Sequence, residues 1–234
     1  MGFLGERYQV AWLGGITILV AVAAAFAFRP SNAGSPKLVF IYGGVTLLLA
    51  IIGAVRAYRD GELLEWLKPA FGDFTSAFFA TVILFSASYG FAKYVVLPGD
   101  VRSGWLSHLY LQLGDPVVLR SKAAFVGAAI CVVAVAEELL WRGFVTTLFA
   151  EIAGSRRAWI YAAILYSLAH VPTLWLLADT RAGLNPLLVV GALACGIVWG
   201  ALARRNGRLV PGMISHALFD WAVVMMFRFW GPSV

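Results

Sequence analysis

The sequence predicts an all-α, polytopic transmembrane bundle of about seven spans. Three observations point there. Of 234 residues, 61% are hydrophobic and only 13% are charged, about half the charged share of an average soluble domain. The mean hydropathy is +0.84. Seven apolar runs are long enough to cross a bilayer, which takes about 20 residues. A water-soluble chain of this size could not hide so much apolar surface.

The predicted spans are 10–28, 38–57, 74–97, 123–149, 158–178, 186–203 and 209–230. The first is too long for the apolar core of a signal peptide and lacks a convincing small-residue cleavage site, so it reads as a retained span. "RPSNAGSPK" separates the first two and is rich in turn formers. "GDPVVLRSK" precedes the fourth, "GSRR" precedes the fifth, and "RRNGR" separates the last two. The sixth run is short enough for a tilted or partly buried helix. Two connections are not plain loops. Residues 61–73, "GELLEWLKPAFGD", read either as a short amphipathic surface helix or as a partly buried loop. Residues 98–122 contain "WLSHLYLQL", which could rest on the interface. No linker divides the chain, so 1–234 is expected to be one domain.

The net charge of +6 is better spent on topology than on nucleic acid, because basic residues flank membrane helices and set their orientation. On the N-terminal side lie Arg7, Arg56, Arg59, Lys68, Arg156, Arg157, Arg204, Arg205 and Arg208. The other side carries Arg29, Lys37, Lys93, Arg102, Arg120, Lys122, Arg181 and Arg228. Nine against eight nearly balances. The paired-arginine clusters favour a cytoplasmic N-terminus. The expected location is an integral, multi-pass one, in the inner membrane if the source is bacterial. Cys131 and Cys195 lie in apolar runs without CxxC spacing and read as free thiols.

Polar residues break the spans in three places. Glu137, Glu138 and Arg142 lie in the fourth. A mid-helix charge costs about 2.5–3.5 kcal/mol on insertion scales, so three unpaired charges would cost roughly 8–10 kcal/mol. Glu138 and Arg142 are four apart and can pair on one face. Glu137 points about 100° away and needs a partner on another helix. The fifth span carries His170, followed by Pro172, whose missing N–H should free the Leu168 carbonyl. The seventh carries His216 and Asp220, again four apart. The chain has only three histidines, and His108 falls in a connection. Counting residues along each helix puts Glu137, His170 and His216 within a turn or two of one level. Ionisable groups at that depth face the bundle interior and mark a functional site.

Several chemistries fit such a set. A carboxylate and a histidine can polarise a water for hydrolysis, and a second histidine can steady an oxyanion. No G-x-S-x-G occurs. Two histidines and a glutamate are also a known zinc ligand set, although H-E-x-x-H is absent. Membrane acids and histidines build proton relays too, but no inverted repeat is visible.

"EELLWR" fits E-E-x-x-x-R, "YSLAH" fits an aromatic-x-x-x-H motif with Tyr166 where Phe is commoner, and "HALFD" fits H-x-x-x-[N/D]. In this order the three resemble the CPBP family, which includes the type II CAAX prenyl endopeptidases and the bacterial Abi proteins. The resemblance covers residues 123–225. It implies an intramembrane glutamate-type protease acting on the membrane-anchored tail of protein substrates. It also implies Glu137 as the catalytic glutamate, His170 as its partner on water, and Glu138–Arg142 as a supporting ion pair. His216 and Asp220 would stand on the oxyanion side. Asp220 departs from the Asn of the eukaryotic and archaeal prenyl endopeptidases, and an ionised Asp cannot donate a hydrogen bond. The implied mechanism needs no metal and no cofactor. The same resemblance leaves open C-terminal sorting-signal processing, or a non-catalytic bacteriocin-immunity role.

Overall fold

A computed structural model describes residues 3–97 and 99–225, with side chains from residue 7 onward. The architecture is the expected helical bundle. Six helices are long and apolar enough to span a membrane: Arg7–Ala27, Val39–Arg59, Asp73–Tyr94, Ala123–Ala153, Ser155–Leu176 and Leu187–Asn206. They are called the first to sixth spans. A shorter apolar helix, Val210–Met225, takes the place of the seventh. Its predicted continuation to residue 230 lies outside the described residues. Among the described residues there is no β-strand, and one isolated antiparallel bridge joins Asp179 to Gly183. Helices satisfy their own backbone groups, which is what a lipid solvent demands.

Two stretches depart from regular α-helix. Val39–Gly43 opens the second span as a π-helix, and Glu138–Val145 is a π-helical stretch in the middle of the fourth. The i→i+5 pattern widens the turn and occurs mostly at functional sites. Both segments carry side chains of the site described below.

The core lies where the first, second, fourth and fifth spans meet. Leu13, Ile16, Val20 and Ala24 of the first span pack with Leu49, Leu140, Trp141, Phe144 and Leu148. Outward faces are apolar too: Ile18, Leu48, Ile51, Phe78, Phe79 and Ile83 are exposed to what would be lipid. Without a hydrophobic force between helices in lipid, small residues permit close packing. Gly196 of the sixth span sits against Ala163 of the fifth, where an added Cβ would come within 3.0 Å of the Ala163 methyl. The sixth span ends at Asn206 because Gly207 turns left-handed at φ +65°.

Residues 61–73 contain a five-residue helix, Leu63–Leu67. Its Trp66 leans on Gly143, and its backbone carbonyl accepts from Leu209 N at 2.9 Å. Residues 98–122 hold the helices Ser103–Leu113 and Pro116–Ser121. The expectation about Pro172 is corrected. The helix of the fifth span ends at Ala169, before the proline, and Val171 N donates to the Leu168 carbonyl at 3.1 Å. Pro172 instead starts the short helix Thr173–Leu176. The break leaves His170 at a helix end, so its ring is placed by local contacts.

Candidate active site

Glu137, Glu138, Arg142, His170 and His216 are all buried and lie together. Glu137 closes the α-helical half of the fourth span, and Glu138 opens the π segment. The two carboxylates therefore face different neighbours.

Glu137 finds its partners on other helices, as the sequence required. Tyr42 Oη donates to Oε1, and Tyr166 Oη donates to Oε2 at 2.8 Å. His216 Nε2 stands 3.3 Å from Oε2. Three helices thus converge on one carboxylate.

His170 touches the same group through Tyr42. Its Nδ1 lies 2.8 Å from the Tyr166 carbonyl oxygen, which can only accept, so Nδ1 carries the hydrogen. In the neutral ring Nε2 is then the basic nitrogen. It faces Tyr42 Oη at 3.2 Å. One phenol therefore stands between the two residues assigned to water.

Glu138 Oε1 takes two partners, Arg142 at 3.0 Å and His216 Nδ1 at 2.9 Å. The other oxygen, Oε2, has no hydrogen-bond partner among the described residues. The helix Val210–Met225 passes against it at Gly212, where an added Cβ would stand 2.7 Å from Oε2. A larger residue there would push the Glu138 carboxylate out of place. The Arg142 end nitrogens form the ion pair without an aligned hydrogen bond. Their charge is met by aromatic faces instead: the guanidinium lies 4.7 Å from the Tyr166 ring centre and 5.0 Å from that of Trp199.

His216 is pinned on three sides. Trp199 stacks on it with ring centres 3.7 Å apart and planes 19° from parallel. Its Nδ1 meets Glu138. Its Nε2 meets Glu137 and, at 3.4 Å, Asp220. Asp220 is the site's most open member, its side chain 35% exposed.

All six predicted site residues are therefore brought together. Tyr42 and Trp199 were not among them, and Tyr166 was noted only as part of a motif. His108 lies elsewhere, 3.4 Å from Asp179 in the connection after the fifth span. Cys131 is exposed and Cys195 buried, both as free thiols. Among the described residues, no three His, Cys, Asp or Glu side chains are arranged to hold a metal ion.

Fold and site together define an integral, multi-pass helical membrane protein with a buried acid–histidine cluster. Residues 119–222 match the family model described as type II CAAX prenyl endopeptidase Rce1-like. The resemblance to the CPBP and CAAX proteases is thus borne out over the segment that carries all three motifs. The matched stretch contains Glu137, Glu138, Arg142, His170, His216 and Asp220. No curated protein and no solved structure matches the chain.

Proposed function

We propose that the chain is a metal-independent, glutamate-type intramembrane endopeptidase that cuts near the membrane-anchored C-terminal tail of protein substrates. The observation that carries this reading is the setting of Glu137. Its buried carboxylate is gathered by Tyr42, Tyr166 and His216, with His170 Nε2 one hydroxyl away.

The steps follow from the atoms. A water between Glu137 and His170 gives a proton to the Glu137 carboxylate, and its oxygen adds to the scissile carbonyl carbon. The carbonyl oxygen becomes an oxyanion. His216 Nε2–H is the donor on that side; its present contacts of 3.3 and 3.4 Å are long enough to yield to a better acceptor. The carbon–nitrogen bond then breaks as Glu137 returns its proton to the leaving amine. His170 stays oriented throughout by the Tyr166 carbonyl.

Glu138 and Arg142 steady this set. Glu138 fixes His216 through Nδ1, and Arg142 balances Glu138. Asp220 orients His216 from the open side, which requires an acceptor and so suits a carboxylate as well as an amide.

The test is cleavage of a membrane-tail peptide by protein purified in detergent. Glu137→Ala and His170→Ala are expected to abolish hydrolysis while the folded protein still accumulates in the membrane. Near-normal cleavage by Glu137→Ala would sink the mechanism.

A further inference from the structure

A cavity of about 220 Å³ opens beside Arg142 at the end of the bundle that also bears the "GSRR" and "RRNGR" connections. It is walled by the end of the fourth span, the start of the fifth, the end of the sixth and the start of the last helix. Its charged lining is purely cationic: Arg142, Arg204 and Arg208. Thr147 and Ser155 add hydroxyls, and Trp66 and Trp159 add aromatic edges. Carboxylates are present nearby, but each is already engaged or set apart. Asp73 pairs with Arg208 at 2.9 Å, and Glu138 pairs with Arg142. Asp60 and Glu62 line a neighbouring hollow beyond Trp66. Arg204 has no carboxylate partner among the described residues. It donates to the Arg156 carbonyl at 2.9 Å and rests near the Trp159 ring.

Asp73 and Glu138 each balance one of these guanidiniums, which leaves the charge of Arg204 for an anion in the void to meet. The void is too large for a bare monatomic ion. At ~30 Å³ per water it has room for about seven, enough for a phosphate and part of what it is attached to. Its place in the bundle selects the source. Tryptophans and arginines at a helix end mark the headgroup level of a bilayer, and basic pockets between membrane helices suit anionic lipid headgroups.

We infer that this cavity binds the phosphate of an anionic phospholipid. Arg204 and Arg208 hold it from the aqueous end, and Arg142 lies on its inner wall. Because Arg142 also pairs with Glu138, an occupied cavity would brace the scaffold of the site. The inference does not depend on the hydrolytic reading, since it needs only the lining.

The experiment uses purified full-length protein in nanodiscs of phosphatidylcholine alone, or with phosphatidylglycerol added. Native mass spectrometry reads retained lipid and thermal melting reads stabilisation. Phosphatidylglycerol should be retained at one per chain and should raise the melting temperature. Arg204→Gln should weaken retention about fivefold, and Ala203→Trp, which fills the void while keeping every arginine, should abolish it. Arg204→Gln should melt like the parent in phosphatidylcholine alone, which separates lost binding from lost folding even if Ala203→Trp does not fold. Equal stabilisation by inorganic phosphate would overturn the lipid assignment in favour of a free anion. Stabilisation by a peptide ending in a free carboxylate, with none from phosphatidylglycerol, would overturn it in favour of a protein tail. Retention unchanged in Arg204→Gln would place the lipid elsewhere and overturn it outright.

Discussion

The Tyr42 hydroxyl lies 3.2 Å from His170 Nε2 while donating to Glu137 Oε1. It has one proton and two acceptors in reach, because the Tyr166 carbonyl fixes the His170 hydrogen on Nδ1. Tyr42 therefore couples the two residues assigned to water activation. It sits in the π-helical start of the second span.

Tyr42→Phe is expected to keep the fold, since only an oxygen is removed, and to lower kcat by about 10²-fold, the low end for losing a positioned proton-transfer group. KM should move little. The pH profile should shift as well, because a structural role for the phenol would leave that profile unchanged. Purified variant and parent would be compared on one tail peptide across pH. An unaltered kcat would remove Tyr42 from the mechanism.

Glu138 and Arg142 should act on stability before activity. Stranding one buried charge costs about 3–5 kcal/mol, so Glu138→Gln and Arg142→Gln should each melt well below the parent. A double apolar replacement should recover part of that loss. Recovery stops short because His216 Nδ1 also bonds Glu138 and would lose its acceptor. Thermal melting of the four proteins decides this. Unchanged melting in both single variants would dismiss the ion pair.

Much of this site is legible in the sequence, and the illegible part has a physical pattern. The pairs four residues apart, Glu138–Arg142 and His216–Asp220, form as helix geometry dictates, at 3.0 and 3.4 Å. The cost of a lone Glu137 foretold partners on other helices. Their identity was hidden, because a tyrosine in an apolar span is ordinary near an interface, and nothing local separates Tyr42 from such a residue. Trp199 was hidden likewise among the apolar residues of the sixth span. The π-helical segments had no sequence signal, so the wider turn that carries Glu138 to Arg142 emerges only from packing. Pro172 misled for the opposite reason: a strong local rule assumed a helix that had already ended.

Asp179 offers a test outside the membrane. The backbone N–H groups of Ala182 and Arg181 bond its carboxylate and hold it below the usual Asp value of 3.8, aided by His108 nearby. A depressed folded value means that the stabilisation is present above the unfolded value. It is lost as pH falls below 3.8 and through the folded value. Hydrogen exchange in residues 179–183 should therefore be faster in Asp179→Asn than in the parent at neutral pH. The difference should shrink as pH drops below about 4. A gap that persisted in strong acid would show that the charge is not what holds this turn.

The last expectation separates water activated by side chains from water activated by zinc. Alanine substitutions cannot choose, because both mechanisms fail at Glu137, His170 and His216. The arrangement of the donor atoms favours side chains. A catalytic zinc needs three protein ligands within about 2.0–2.2 Å. His216 directs Nδ1 to Glu138 and Nε2 to Glu137 and Asp220, so neither nitrogen offers a lone pair without breaking a carboxylate contact. His170 spends Nδ1 on the Tyr166 carbonyl, and its Nε2 looks onto the Tyr42 phenol. The cluster is thus arranged as donors around carboxylates. The purified protein is expected to carry no stoichiometric zinc and to keep its activity after prolonged treatment with a membrane-permeant chelator. Elemental analysis near one zinc per chain, with activity lost on chelation and restored by added zinc, would overturn the metal-free mechanism and require His216 to leave Glu138.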